Sequence, residues 1–121
     1  MKSQEESQGI LESARNICLV LPEVVEHTDG FGHTNFQING KSFVKLTERA
    51  GLSFKSDRET QELLLQKEQF FKTPYIGNHG WVSIQNLREG DWNELIELIQ
   101  EAYLRAAPKR LVKEWIELHK K

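Results

Sequence analysis

The strongest constraint on the fold is a change from helical to alternating periodicity around Asn39-Gly40. Apolar and polar residues alternate over 35–38 before this dipeptide, and the return strand covers about 42–47 after it. An Asn-Gly pair between two alternating runs is a strong short-range signal for a β-hairpin. After a break at Ala50-Gly51, residues 52–55 alternate once more. The sequence therefore predicts a three-stranded antiparallel meander.

The register of the first hairpin has two solutions. A two-residue turn places Phe36 opposite Phe43, whereas a three-residue turn with a bulge places Phe36 opposite Val44. We favour the second, because a slip of one residue would scatter the apolar side chains over both faces of the sheet. In this register one face is apolar and consists of Phe36, Ile38, Val44, Leu46, Leu52 and Phe54. The opposite face carries Gln37, Phe43, Lys45, Ser53 and Lys55.

Helical patterns flank the meander on both sides. The first covers about residues 4–20 and begins with a capping box of Ser3 and Glu6. Three more helices are predicted: one from an N-cap at Ser56 or Asp57 to about Lys67, one from a capping box of Asp91 and Glu94 up to Pro108, and one after Pro108.

The stretch Thr73–Ile84, which reads TPYIGNHGWVSI, connects the second and third helices. Its glycines bracket a turn that contains His79, and a strand follows over Trp81–Gln85. Val82 and Ile84 share one face of this strand, and Trp81, Ser83 and Gln85 share the other. Tyr75-Ile76 is a candidate for a further short strand.

This order of elements, α-β-β-β-α-β-(β)-α-α, predicts an α+β fold. We expect a two-layer sandwich in which an antiparallel sheet of four to five strands packs against helices. A length of 121 residues fits a single domain over 1–121, with 108–121 as a C-terminal helical extension.

Composition narrows the function classes. No apolar run is long enough for a membrane helix, and the first residues lack the apolar core of a signal peptide. Cys18 is the single cysteine and cannot form an intrachain disulfide, so we expect a cytoplasmic protein. Because Cys18 lies on an apolar helical stripe, we also expect its thiol to be buried. The formal charge of −2 argues against a strong nucleic-acid binder. Residues 31–58, however, carry five basic and two acidic side chains, which allows a basic face.

Several short motifs stand out along the chain: Phe31-Gly32-His33 before Phe36, Asn39-Gly40-Lys41-Ser42-Phe43, Pro74-Tyr75-Ile76-Gly77 with Gly80-Trp81-Val82, and Ala107-Pro108-Lys109-Arg110-Leu111. Taken together, over roughly residues 21–111, they resemble the MmcQ/YjbR family. The resemblance implies a small cytoplasmic bacterial protein with an antiparallel sheet backed by helices, similar in shape to secretion chaperones and CyaY-type frataxins. Its members are commonly labelled DNA-binding, and it brings no catalytic residues. Thr34 departs from the family, in which a proline often follows the histidine.

No pattern of catalytic or metal-ligating residues emerges. The four histidines do not pair at helical spacing, and no cysteine lies near any of them. Gly30–Asn35 begins like a dinucleotide fingerprint, but it lacks the third glycine and precedes a strand instead of a helix. We therefore expect a protein that is not an enzyme and that needs no metal or cofactor.

The best candidate for a binding surface is the face of the sheet opposite the apolar one. There, aromatic rings would stack on bases and lysines would neutralise phosphates. The candidate residues for nucleic acid or ligand are His33, Lys41, Phe43, Lys45, Lys55, His79, Trp81, Lys109 and Arg110.

Three other interpretations stay open. In the first, the last helix covers Phe43 and Trp81. In the second, the same face binds a protein partner or a second copy of the chain. Alternatively, a small ligand would bind in a pocket near His33, His79 and Trp81.

Overall fold

The protein is built on one antiparallel sheet with its helices on one side. The structure, a computed structural model, describes residues 4–48 and 50–120, and this part of the chain holds four α-helices and six strands. The spatial order of the strands is β1-β2-β3-β4-β6-β5. In chain order the elements are α1 (Gln4–Cys18), β1 (Val25–Thr28), β2 (Thr34–Ile38), β3 (Lys41–Thr47), β4 (Gly51–Lys55), α2 (Arg58–Leu64), β5 (Phe70–Lys72), β6 (Trp81–Ile84), α3 (Trp92–Ala106) and α4 (Lys109–Leu118).

The predicted α+β class and the three-stranded meander are confirmed, and two strands are added. The polar connector after α1 contains β1, which pairs with β2 along one edge. β5 pairs with β6 along the other edge. Tyr75-Ile76 forms no strand, because Tyr75 adopts the left-handed conformation (φ 69°) directly after Pro74.

The first hairpin combines features of both predicted registers. Asn39 (φ 52°) and Gly40 (φ 78°) form a two-residue turn that pairs Ile38 with Lys41. A bulge then shifts the register, so that Phe36 lies opposite Val44 as predicted. The three-residue turn was wrong, because the extra residue lies inside β3 and not in the turn.

The bulge overturns the predicted position of Phe43. Within the bulge, Phe43 precedes Val44 without a change of face, and both side chains are fully buried. The Phe43 ring packs edge-on against Tyr103 of α3, with 5.9 Å between the ring centroids. Phe43 is therefore a core residue and not part of the opposite face.

The core lies between the sheet and the helices. α3 packs over β3 and β4, and its Tyr103 hydroxyl donates to the Pro22 carbonyl at 2.9 Å. The predicted apolar face of the meander supplies the sheet side of this core. Its buried members from both layers are Ala14, Cys18, Leu21, Phe36, Ile38, Phe43, Val44, Leu52, Phe54, Leu64, Phe70, Val82, Ile84, Leu95, Ile99, Ala102, Tyr103 and Leu111.

The helix starts agree only in part with their predicted caps. Asp57 caps α2, because its carboxylate accepts from the Thr60 N–H at 2.7 Å. Asp91 does not cap α3 in this way. Its carboxylate instead accepts from the Arg88 N–H, at a short 3₁₀ turn ahead of the helix. The capping box predicted at Ser3 and Glu6 lies outside the described side chains.

The C-terminal helix packs on the helix layer and not on the opposite face of the sheet. Leu111 joins the core, and the Trp115 ring lies 6.2 Å from the ring of Tyr103. The Arg110 guanidinium makes a bidentate pair with Glu23, with both N–O distances at 2.7 Å. The face of the sheet that these helices leave uncovered is called the open face below.

Candidate functional site: a cavity on the open face of the sheet

One row of side chains crosses all six strands on the open face. Each member lies directly opposite the next in the strand register, and the row reads His27, Asn35, Lys45, Ser53, Ser83 and Phe71. Opposed residues on adjacent antiparallel strands are about 4.5–5.5 Å apart. The row therefore brings one lysine and two small hydroxyl residues together from three different strands.

The open face carries cations and no carboxylate among its strand residues. Glu26 is the only acidic residue within the six strands, and it lies opposite core-facing Phe36, towards the helices. There it makes a bidentate pair with Arg15 of α1, at 2.7 and 2.9 Å. Lys45 and Lys55 both lie on the open face. Although the protein has a net charge of −2, the strand residues of this surface thus include no acidic side chain.

A cavity of about 440 Å³ opens on this face. β3 and β4 form its floor, and the segment that follows β5 forms one wall. The lining residues are His33, Lys45, Thr47, Ala50, Ser53, Thr73, Pro74, Tyr75 and Ile76. The polar groups come mostly from rigid strands, and the apolar groups come mostly from the wall. This division suits a site that orients a ligand by its polar end.

The floor of the cavity contains a chain of three buried hydroxyl groups. Ser83 Oγ lies 2.7 Å from Ser53 Oγ and 2.8 Å from Thr73 Oγ1. Two contacts use at most two of the three hydroxyl hydrogens. Among the described residues, no backbone carbonyl accepts from these groups. Because Ser53 and Thr73 both line the cavity, the remaining hydrogen is available to an acceptor inside it whenever Ser83 donates to one of them.

Lys45 reaches the cavity across the ring of Trp81. Its Nζ atom lies 5.1 Å from the centre of that ring, within the range of a cation–π interaction. Trp81 is only 6% exposed, although it lies on the open face and outside the core. Its buried ring cannot serve as a stacking platform for a base. The ring instead positions the lysine ammonium.

His33 lies at the rim of the cavity and is fixed by Asp29. One carboxylate oxygen of Asp29 accepts from the backbone N–H groups of Phe31 and His33, at 2.8 and 3.0 Å. The other oxygen lies 3.3 Å from His33 Nδ1, which leaves Nε2 as the ring nitrogen able to contact a ligand. The hydrogen bond from the His33 backbone, with that from Phe31, holds the pKa of Asp29 below its ordinary value. Phe31 is 87% exposed beside this histidine.

The wall of the cavity is held by the turn that precedes β6. Gln61 of α2 donates from its side-chain amide to the carbonyls of Gly77 and Trp81, at 2.7 and 3.0 Å. Gly80 adopts φ 94°, and its carbonyl accepts from both the backbone and the hydroxyl of Ser56. A Cβ atom at Gly80 would overlap the Ser56 carbonyl oxygen. Only glycine fits this position.

The structure brings together only some of the predicted site residues. His33 and Lys45 line the cavity, whereas Lys55 and Trp81 share the open face outside it. His79 lies in the turn before β6, also outside the lining.

Three predicted cations lie elsewhere. Lys41 pairs with core-facing Ile38 and therefore lies on the helix side of the sheet. Lys109 and Arg110 lie at the start of α4 in the helix layer. The predicted basic area is therefore divided between the two sides of the molecule.

The residues that sequence reasoning missed are the small polar ones. Ser53 and Ser83 were placed on the correct face but not chosen, and Thr73 was not chosen either. The two serines occupy open-face positions of β4 and β6, and nothing in their local sequence marks them as buried.

No metal or nucleophile site accompanies the cavity in the described part of the chain. It contains no group of three or more histidine, cysteine or acidic side chains that could hold a metal ion. Cys18 is fully buried in the core, as predicted, and burial raises the pKa of its thiol.

Fold and site together define a two-layer α+β protein with helices on one side of an antiparallel sheet and a cavity on the other. The family model YjbR matches residues 19–105, and the chain belongs to the YjbR family. The resemblance seen in the sequence motifs is thereby confirmed.

The fold is also similar to a solved structure. The Deinococcus radiodurans protein DR2400, which has a DUF419 domain, superposes with a TM-score of 0.66 and 22% identity over 86% of each chain. No curated protein matches the chain. In the region that the structure describes, no helix is both long and apolar enough to cross a membrane.

Proposed function

We propose that this member of the YjbR family is a non-enzymatic binding protein and that the open-face cavity is its ligand site. The observation that carries the proposal is the cavity itself, which combines buried polar groups with an apolar wall. Its volume of about 440 Å³ lies within the range of roughly 300–1,000 Å³ that is typical of small-ligand pockets.

The backbone of the wall supports this proposal. Tyr75 lines the cavity with φ 69°, a conformation that costs about 1–3 kcal/mol for a residue other than glycine. Such strain persists only where the surroundings impose it, and it is concentrated at binding sites. Here the Gly77 N–H donates to the Thr73 carbonyl at 2.8 Å and closes the turn that contains Tyr75.

A fragment screen followed by two-dimensional ¹H–¹⁵N NMR tests the proposal. We expect bound fragments to shift the amide signals of Lys45, Ser53 and Thr73. Ala50→Phe fills the cavity without removing a side-chain hydrogen bond, and it should abolish these shifts. Gln37→Phe, on the open face outside the cavity, is the matched control and should retain them. Fragments that shift only signals outside the cavity would refute the proposal.

DNA binding across the same face is a second candidate function. Lys45 and Lys55 lie on a face whose strand residues carry no acidic group, and such a face favours binding of the phosphate backbone of DNA. Stacking on Phe43 and Trp81 is not part of this candidate, because both rings are buried. A protein partner for this face stays a prediction.

Fluorescence anisotropy with labelled single- and double-stranded DNA over a salt series tests the second candidate. Loss of two phosphate contacts in Lys45→Ala/Lys55→Ala should reduce the slope of log affinity against log salt by about 1–2. Lys109→Ala/Lys113→Ala removes the same charge from α4 and should leave the slope unchanged. Equal effects of the two double variants would mean that net charge, and not this face, determines binding.

A further inference from the structure

We infer that the cavity binds a small organic monoanion, with a carboxylate held by Lys45 and the floor hydroxyls and an apolar body held by the wall. The inference rests on the proposed function, because it names the ligand class of the same cavity. Three features of the lining support it: the balance of charge, the presence of hydrogen-bond donors on the floor and the position of the apolar residues.

The charge of the lining favours a single negative charge on the ligand. Among the lining residues that the structure describes, Lys45 contributes a full positive charge and there is no aspartate or glutamate. His33 lies at the rim with the Asp29 carboxylate 3.3 Å from its Nδ1, so Lys45 is the charged group on the floor of the cavity. A dianion would be compensated only in part, and a cation would be repelled by the ammonium group.

The floor of the cavity provides donors where such an anion would lie. Lys45 lies directly opposite Ser53 in the strand register, and both residues line the cavity from adjacent strands. When Ser83 donates to one of its two hydroxyl neighbours, the hydrogen of that neighbour is free to donate to an acceptor in the cavity. A carboxylate accepts from both groups at once, and hydrogen bonds that involve a charged partner are about twice as strong as neutral ones.

The wall of the cavity would contact the apolar part of the ligand. Pro74 and Ile76, which line the cavity beside Tyr75, are apolar residues. The lysine and the hydroxyls lie on the sheet, so the polar and apolar groups contact different ends of the same space. A ligand that satisfies both has a carboxylate at one end and a flat or aliphatic body at the other.

Three isosteric probes test this class by NMR titration. They are naphthalene-2-carboxylate, its neutral carboxamide and the ammonium analogue 2-naphthylmethylamine. We expect the carboxylate to bind about tenfold or more tightly than the carboxamide, as loss of a charge-assisted hydrogen bond implies. The ammonium probe should not shift the cavity signals.

Two lysine variants assign the charge. Lys45→Met keeps the length of the aliphatic side chain without its ammonium group. It should weaken binding of the carboxylate about tenfold or more while leaving the affinity for the carboxamide unchanged. Lys55→Met removes a charge from the same face outside the cavity and should leave the affinity for both probes unchanged. If Lys55→Met weakens the carboxylate as much as Lys45→Met, general electrostatics accounts for the selectivity and the inference fails.

The floor hydroxyls are tested separately with Ser53→Ala/Thr73→Val. This double variant should weaken binding of the carboxylate several-fold more than binding of the carboxamide. An unchanged ratio of the two affinities would exclude the hydroxyls from the site. Equal binding of carboxylate and carboxamide at the cavity would overturn the monoanion while leaving the cavity as a ligand site. Binding of none of the probes, together with a fragment screen that finds nothing in the cavity, would overturn both proposals.

Discussion

The two faces of the sheet are built from alternate residues of the same strands, yet they differ in almost every physical property. The face under the helices is apolar and closed, and its central side chains are fully buried. The open face carries Lys45, Lys55 and a row of small polar residues, and it contains the cavity. Neighbouring residues of one strand therefore serve either the stability of the fold or its proposed binding function.

The difference shows why a single irregularity in a strand matters. Phe43 and Lys45 are two residues apart in β3, and regular alternation would place them on the same face. The bulge turns Phe43 into the core and leaves Lys45 on the open face. Without it, a large aromatic ring would occupy the floor of the open face beside the polar row. The bulge thus separates the two faces at the centre of the sheet.

The largest expected effect tests the covered face. Phe43→Ala removes a fully buried ring that packs on Tyr103, and it should lower the free energy of unfolding by about 3–5 kcal/mol. Lys45→Ala, two residues along β3, should cost no more than about 1 kcal/mol, because it loses mainly the cation–π contact with Trp81. Urea unfolding of both variants measures the contrast. Similar losses would show that Phe43 is not a core residue.

The second prediction concerns the turn that holds the cavity wall. Gly80→Ala should lower the free energy of unfolding by about 2–4 kcal/mol, because the added Cβ overlaps the Ser56 carbonyl and the backbone has φ 94°. Gly40→Ala is the matched control, since Gly40 has φ 78° but no neighbouring atom within contact distance of a Cβ. We expect a loss of only about 1 kcal/mol there. Equal losses in thermal unfolding would mean that strain alone, without overlap, acts at Gly80.

The third prediction compares the faces within β6. Val82 and Ser83 are consecutive, and each is fully buried. Val82→Ala should cost about 2 kcal/mol through lost apolar contact in the core. Ser83→Ala should cost about 1 kcal/mol, because Ser53 and Thr73 lose a partner but both line the cavity, where water can replace it. A larger loss for Ser83→Ala, measured by urea unfolding, would show that the floor of the cavity is closed to water.

Sequence patterns predicted the covered face better than the open one, for a physical reason. Burial selects apolar residues at every second position, so alternation alone identified Phe36, Val44 and Phe54 as one face. The bulge interrupts the alternation with two consecutive apolar residues, Phe43 and Val44, but this break does not by itself show that both face the core. The edge strand Val25–Thr28 was missed because it is polar and mostly exposed.

The cavity was harder to predict than the fold because its parts are distant in sequence. Ser53 and Ser83 are 30 positions apart and meet only because β4 pairs with β6. A serine within a strand has no obvious partner until the order of the strands is known. His33 was selected from its family motif, but its position at the rim depends on Asp29 and the loop between β1 and β2.

The smallest expected effect lies at the rim of the open face and depends on pH. Hydrogen bonds from the backbone of His33 and Phe31 lower the pKa of Asp29 in the folded protein. A carboxylate whose folded pKa is depressed stabilises the fold above its unfolded pKa of about 3.9, and this contribution is lost as the pH falls through the folded pKa. Carboxyl ¹³C NMR should therefore show Asp29 titrating below the range of an ordinary aspartate.

Asp29→Asn provides the matching comparison. An amide oxygen can still accept from the backbone N–H groups, but it carries no charge to interact with them or with His33. The difference in unfolding free energy between the wild-type protein and Asp29→Asn should therefore be small near neutral pH and should vanish below the folded pKa of Asp29. Asp29 contacts Phe31 and His33 in its own loop, whereas Phe43 lies in the core on the other side of the sheet. Phe43→Ala should therefore leave the Asp29 titration unchanged wherever the protein is folded. A shift of that titration in Phe43→Ala would show that the two faces are coupled through the sheet and do not act independently.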